Sequence, residues 1–378
     1  MKLKPKHSIA DYFGGIEDPR IDRRKQHKLI DIITIAICAV VCGAETWVDM
    51  EVYGKAKFSW LNEFLELENG IPSHDTFARV FAAISPEEFQ KCFMSWVQGV
   101  RNKTSQEIIA FDGKQSRNSG DKKNGKRAIN IVSALAIENR LILGQKKVEG
   151  KSNEITALPE LIEILDLAGC IVTIDAMGCQ RKIVEKIVEK EADYVIALKK
   201  NQGNLYDEVE QIFKEAIAGK FEGFKASSYS TRELNRGREE IRDYLIISDV
   251  DGLIKISEKW VNLKSIGLVE SVRIVNGKTS IETRYFITSL DNNVELFAKS
   301  VRGHWGIENS LHWILDVAMR EDKSRIRKDN APANFAMLRH IAVNVLRQNK
   351  SRKFGVRSKQ FLAAIDESYM NEILETMF

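Results

Sequence analysis

The sequence predicts a mixed α/β fold: a helical N-terminal part, a core of short strands alternating with helices, a mainly β stretch, and closing helices. Three observations predict it. The first hundred residues carry long apolar runs and helical spacing with few turn signals. From about Glu107, short apolar runs that end in polar loops alternate with amphipathic segments. Between Asn204 and Arg302 the polar and apolar residues alternate as they do in antiparallel strands.

Each element follows in order. Ile32 to Ala44 is the longest apolar run. It is shorter than the ~18 residues that read as a membrane span, so it predicts a buried helix. Gly70-Ile71-Pro72-Ser73 breaks the chain, and Phe77, Val80, Phe81 and Ile84 then recur at helical spacing. Ser85-Pro86-Glu87-Glu88 has the form of a helix start: Ser as cap, Pro at the first position, acids in the first turn. IIAFDGK reads as a first strand, and AINIVSALAIE with RLILGQKKV as a hairpin across Glu138-Asn139-Arg140. NEITALPELIEILDLAG is an amphipathic helix closed by Gly169, CIVTIDAMG a fourth strand, QRKIVEKIVEKEA a helix and DYVIALKKNQ a fifth strand. The order is β-β-β-α-β-α-β. LYDEVEQIFKEAIAG is helical, EEIRDYLIIS, GLVESVRIV and TSIETRYFITS are strands, and helix returns at Asn293 and continues through HWGIENSLHWILDVAM. These changes of texture divide the chain into 1–104, 105–203, 204–302 and 303–378.

Composition narrows the class. The 378 residues are 44% hydrophobic and 29% charged, which fits a globular chain with a large core and excludes disordered or fibrous chains. Six prolines argue against proline-rich linkers. The five cysteines (Cys38, Cys42, Cys92, Cys170, Cys179) are scattered without a CxxC pair, against structural zinc or a disulfide scaffold. The opening MKLKPKHSIADYF lacks the apolar core of a signal peptide. A reducing, cytoplasmic setting without a membrane is expected.

Three acids lie where sites are built. Asp112 ends the first strand, Asp175 ends the fourth, and Glu308 lies on a late helix. Strand C-termini are common ligand sites in α/β sheets, and a carboxylate there needs a partner because desolvation is costly. Hard carboxylate oxygens suit two Mg²⁺ ions about 4 Å apart in phosphoryl transfer. An Asp-Gly after a strand is also an ordinary turn, and spacing alone leaves the two readings even. Cys179 has no histidine base near it in sequence and is not read as a nucleophile.

The surrounding residues go further. IIAFDGKQSRNS, IVTIDAMGCQ, YVIALKKNQ and RGHWGIENSLHWILDVAMREDKSRIRKDNAPANFAMLRHIA resemble the signature blocks of bacterial insertion-sequence DDE transposases, in the ISAs group that includes the H-repeat-associated proteins. DPRIDRRKQHKL and GIPSHDTFARVFAAISPEEF resemble that family's associated N-terminal domain. The resemblance covers nearly the whole chain, with the blocks in order.

It implies an RNase H-like catalytic core with a helical N-terminal DNA-binding domain and a mainly β insertion before the last catalytic helix. Asp112, Asp175 and Glu308 become the catalytic, metal-binding triad, with two Mg²⁺ ions (Mn²⁺ as substitute). The partners implied are double-stranded DNA, as terminal inverted repeats and as target, and a second copy in a homodimeric synaptic complex. The cytoplasmic protein would then be nucleoid-associated when bound to DNA. The wider group has Arg four residues before the Glu and Lys seven after; here these are His304 and Leu315, with Arg302 as a substitute cation. DNA contacts are expected from Lys114 and Arg117 after the first acid, and from Lys199, Lys200, Asn201 and Gln202 after the fifth strand. Arg302, His304, His312, Arg325 and Arg327 complete the expected set. Glu308, His312 and Asp316 fall on one face of an α-helix, with Asp316 acting at one remove from the metals. Met177 and Trp305 read as packing, and Trp260 as either a buried aromatic or a base-stacking one.

A non-catalytic DNA-binding relic is the alternative of another class, and the intact acids argue against it. A carboxylate-pair glycosidase is disfavoured by the basic runs and the lack of a sugar platform. Those runs are concealed in the net charge of +4. Residues 1–28 carry +4, residues 113–127 carry +5 and residues 320–360 carry +9, which leaves −14 elsewhere. A phosphate backbone gripped from these windows across the acids is the expectation.

Overall fold

A computed structural model describes residues 8–22, 25–121, 123, 125–148, 154–235, 237–250 and 259–378. Parts of the first two basic windows lie outside these residues.

Among the described residues the first elements are six helices: α1 (Ile9–Phe13), α2 (Leu29–Val41), α3 (Trp47–Ala56), α4 (Phe58–Leu61), α5 (His74–Ala83) and α6 (Pro86–Val100). The capping signals act as read: Ser85 Oγ accepts from the Glu88 N–H at 3.3 Å, and Pro86 takes the first position of α6. The apolar run is α2, in which Ile32, Ile33, Ile35 and Ile37 are all at most 1% exposed. Burying each such side chain is worth about 1.5–3 kcal/mol, which explains why an all-apolar helix is stable only inside.

Then come β1 (Ile108–Gln115), β2 (Asn130–Ala136), β3 (Leu141–Lys147), α7 (Glu154–Ile164), β4 (Ile171–Ile174), α8 (Arg181–Glu189) and β5 (Asp193–Leu198). After α9 (Gly203–Ala218) follow β6 (Lys225–Asn235), β7 (Arg238–Ser248), β8 (Ser265–Val275) and β9 (Lys278–Thr288). α10 (Val294–Gly306) runs through a π turn, Ile307–His312, into α11 (Trp313–Val317). The chain closes with α12 (Ala331–Gln348), α13 (Val356–Ile365) and α14 (Glu367–Met377).

Among the described residues nine strands form one sheet in the order β3-β2-β1-β4-β5-β9-β8-β7-β6. β2 is antiparallel to both β1 and β3, while β4 and β5 run parallel to β1. This is the RNase H-like mixed sheet that the sequence leads one to expect. β9 pairs antiparallel with β5, so the β-rich stretch extends the same sheet. Its outer strand β6 has no counterpart in the sequence reading.

One hydrophobic cluster runs from Ile9 to Phe378. α2 and α5 pack on α12, and α6 packs on β3. A second cluster lies between α10 and the sheet, where Phe297 meets Tyr244 and Phe286. A Cβ added to Gly267 would lie 2.3 Å from the Phe297 ring, so this glycine lets α10 sit close to β8. Among the described residues no helix is long and apolar enough to cross a membrane.

Candidate active site

The sheet brings two distant acids side by side: Asp175 follows the end of β4, whereas Asp112 lies inside β1, which stays paired with β2 as far as Gln115 and does not end at the acid as expected. β1 and β4 pair in parallel from Ile108↔Ile171 to Phe111↔Ile174, so Asp112 and Asp175 each follow the last paired residue. Asp112 Oδ1 accepts from the Gly113 N–H at 2.8 Å. Asp175 caps a short turn, its Oδ1 accepting from Met177 N–H at 3.0 Å and Gly178 N–H at 3.4 Å. Burial, with added repulsion from Asp175, Glu154 and Glu308, pushes the Asp112 carboxyl up to about 7, and the Gly113 hydrogen bond opposes it.

The π turn carries Glu308. The Trp313 N–H donates to the Glu308 carbonyl, an i to i−5 bond that widens the helix locally. Such turns occur often at functional sites. The widened turn departs from the regular α-helix on which the shared face of Glu308, His312 and Asp316 was reckoned. Glu308 is exposed. His312 Nδ1 lies 3.6 Å from Asp112 Oδ2, and Asp316 Oδ1 pairs with Lys114 Nζ at 2.6 Å. Burial, then the Lys114 and His304 charges, hold His312 down to about 4, so its ring is neutral near pH 7.

A fourth acid escaped the sequence reading. Glu154, the first residue of α7, lies against β1: a Cβ on Gly113 would sit 2.1 Å from its Oε1. Burial and then the Asp175 charge raise its pKa. The only sequence signal was an acid at a helix start, which has an ordinary reading.

The other expected residues divide by environment. Lys199, Lys200 and Arg325 are exposed, without a carboxylate partner among the described residues. Lys114 is enclosed by Asp316, Glu321 (3.2 Å) and Asp322 (3.4 Å), and Arg117 pairs with Asp322 at 3.2 Å. Arg327 pairs with Asp121 at 3.2 Å, and Arg302 with Glu233 at 3.1 Å. Four expectations of direct DNA contact meet a different arrangement. Asn201 donates to the Ala176 carbonyl at 2.7 Å and Gln202 to the Cys179 carbonyl at 2.8 Å, so both side chains fix the loop that follows Asp175. His304 turns inward to Thr173 on β4, Nδ1 to Oγ1 3.2 Å, and burial holds it down to about 4. Lys114 is engaged by its acids.

Trp260 is buried with Arg181 over its ring, which excludes the base-stacking reading. Trp305 packs under Arg284, 4.9 Å from guanidinium to ring centre, whereas Met177 is exposed against expectation. Cys179 is buried and burial pushes its thiol up to about 12, inert as expected, and all five cysteines are free.

Asp112, Asp175, Glu308 and Glu154 are hard oxygen donors beside the place where the β1–β4 pairing ends, with no positive side chain paired to Glu154 or Glu308 among the described residues. Such a donor set fits a divalent cation. The side chains are not closed into an ion cage: among the described residues no three His, Cys, Asp or Glu groups converge on one point.

Residues 10–97 match the family described as DDE_Tnp_1-associated, and residues 102–345 match the family described as Transposase DDE domain. The chain is 42% identical over 370 residues to the Escherichia coli O157:H7 protein named "Putative transposase YncI", covering 97% of this chain and 94% of that one. It is 40% identical over 378 residues to the "H repeat-associated putative transposase YhhI" of Escherichia coli (strain K12), covering 99% and 98%. A shorter protein of that strain, "Inactive transposase YbfQ", is 52% identical over 80 residues, 21% of this chain and 92% of its own length.

Proposed function

The chain belongs to the DDE transposases, in the H-repeat-associated group, and on that premise we propose that it cleaves DNA strands at the ends of an insertion sequence and joins the freed 3′-hydroxyl to target DNA. Asp112, Asp175 and Glu308 would hold two Mg²⁺ ions, for which Mn²⁺ can substitute. The observation that carries this reading is that Asp112, inside β1, and Asp175, just past β4, both follow the last β1–β4 pair under the Glu308 helix, with the Asp112 carboxyl pushed up to about 7 by burial and like charge. Carboxylates kept together against repulsion fit a dication as partner.

When bound, the metal pair supplies an activated oxygen nucleophile and stabilises the leaving oxygen. The chain's own groups do the rest. The Gly113 N–H and the two N–H groups after β4 fix one oxygen each of Asp112 and Asp175; among the described residues the second oxygen accepts no hydrogen bond, that of Asp112 facing His312 Nδ1 at 3.6 Å. Neutral His312 borders Asp112 without adding charge. Lys199, Lys200 and Arg325 lie exposed for phosphate contacts. Terminal inverted repeats would be the substrate, and two copies would synapse the two ends.

The test is metal-dependent cleavage of element-end DNA, with Asp175→Ala as control. Nicking by the native protein with Mg²⁺ and none by the variant is expected. Native protein that binds its true ends and never nicks them would instead favour the relic.

A further inference from the structure

The basic window at 320–360 splits in space. Arg327 reaches Asp121 and Asn118 beside Arg117. The later cations turn to another surface, a groove of about 540 Å³ between α11, the end of α12 and the start of α13. It lies along a different side of the α11 helix from the acids: His312 and Asp316 reach Asp112 and Lys114, whereas Trp313 and Val317 face outward.

Arg140, Arg347, Lys350, Arg352, Lys353 and Arg357 line this groove, and no Asp or Glu does. Among the described residues none of these six lies within 4.0 Å of a carboxylate, although exposed lysines elsewhere, such as Lys55 and Lys214, are paired. Arg347 donates through Nη2 to the Ser310 carbonyl at 2.5 Å, and its Nη1 is buried without a partner. Burial, then the charge of Arg140, hold Arg347 down to about 10. Arg352 feels the charges of Asp366 and Glu372 from beyond 4.0 Å, and like charges gathered with no carboxylate closer than that fit a polyanion. Two aromatic rings stand among them: Trp313 is 58% and Phe354 57% exposed. A duplex backbone offers phosphates but no free base faces. Cations interleaved with exposed rings are the pattern for unpaired nucleotides, the phosphates tracked by charge and the bases stacked on rings.

We propose that this groove binds single-stranded DNA, the phosphates on Lys350, Lys353 and Arg357 and a base on Trp313. The proposal rests on the transposase reading only for DNA as partner, since a cleaved element end supplies an unpaired strand.

The test uses the full chain in EDTA, with labelled oligothymidine of about 20 nucleotides and a duplex of equal length as probes. Lys350→Gln/Lys353→Gln/Arg357→Gln should weaken oligothymidine binding about tenfold or more. It should also flatten the slope of log affinity against log salt by about 2, three contacts at about 0.7 each. Duplex affinity should change less than about threefold. Trp313→Ala should weaken oligothymidine binding at least about fivefold, and Trp313→Phe should largely restore it. Circular dichroism checks that the variants fold. Single-strand binding unchanged in the triple variant, equal loss on duplex and single strand, or Trp313→Ala binding like native would each overturn the proposal. No metal or cleavage enters the measurement, so failure of the nuclease reading would leave its result standing.

Discussion

At the scale of the residue, Asp112 stands where β1 leaves the core, in a position that favours chemistry over stability. Burial and the charges of Asp175, Glu154 and Glu308 push its carboxyl up to about 7. Without metal, the folded state at pH 8 must hold an ion that it disfavours. Asp112→Asn should therefore raise the stability of the metal-free protein at pH 8, by about 2 kcal/mol, while abolishing cleavage. The sign follows from the raised value: the penalty is full above about 7 and fades toward the unfolded value near 4. Thermal melts in EDTA should show the gain shrinking between pH 8 and 5; a gain independent of pH would contradict this account. Gly113 tests the neighbouring acid. Gly113→Ala puts a methyl 2.1 Å from Glu154 Oε1 and must displace that carboxylate. A loss of cleavage of about tenfold or more, with the melting temperature moved by only a few degrees, is expected. Native-like cleavage would show that Glu154 is a bystander. Asp112 and Asp175 could be found in sequence because each follows a buried apolar run, although only Asp175 marks the end of its strand. Glu154 could not, because its place depends on how α7 docks on β1.

At the scale of the element, buried periodicity was legible and exposed or irregular backbone was not. α2, β4 and β5 announce themselves by apolar runs that only a core can stabilise. β6 pairs with β7 from Lys225↔Ser248 to Asn235↔Arg238, yet most of its residues are exposed. A strand held by main-chain bonds at a sheet edge leaves little hydrophobic pattern. The π turn is likewise invisible, since one extra residue in a turn changes hydrogen bonding and not composition. Deleting Asn309 should let the helix close as regular α, with a modest change in melting temperature. It should lower cleavage about a hundredfold or more by rotating Glu308 relative to His312. Unchanged cleavage would separate the π turn from function. Packing of α10 on β8 has its own test: Gly267→Ala drives a methyl into Phe297, and a destabilisation of about 1–3 kcal/mol is expected from denaturant midpoints.

At the scale of the whole molecule, charge and proton affinity are both segregated. The sequence-wide +4 conceals basic windows, one of which divides between the Arg327 cluster and the groove beside Trp313. Sequence distance could not reveal that division, because α12 separates the two groups by its own length. Three enclosed histidines make the fold sensitive to acid: burial holds His304 and His312 down to about 4 and His340 to about 3. Their folded values lie below the usual 6.5, so stability is full above that pH. It is lost as pH falls toward 4, where the unfolded chain takes up protons first. Carboxyls with raised values, Asp112 and Glu154 among them, oppose this over part of the range, but the three histidines outweigh them. The denaturant midpoint should fall between pH 7.5 and 5 in EDTA; a constant or rising midpoint would contradict it.

The central claim is that Asp112, Asp175 and Glu308 act together as one centre for divalent ions on DNA. Titration of Mn²⁺ into the DNA-bound protein, followed by the paramagnetic signal of free Mn²⁺, tests it most directly. The native protein should take up about two ions per active site, and Asp112→Asn, Asp175→Asn and Glu308→Gln should each lose at least one without losing the DNA. Equal uptake by the native protein and all three variants would contradict the account.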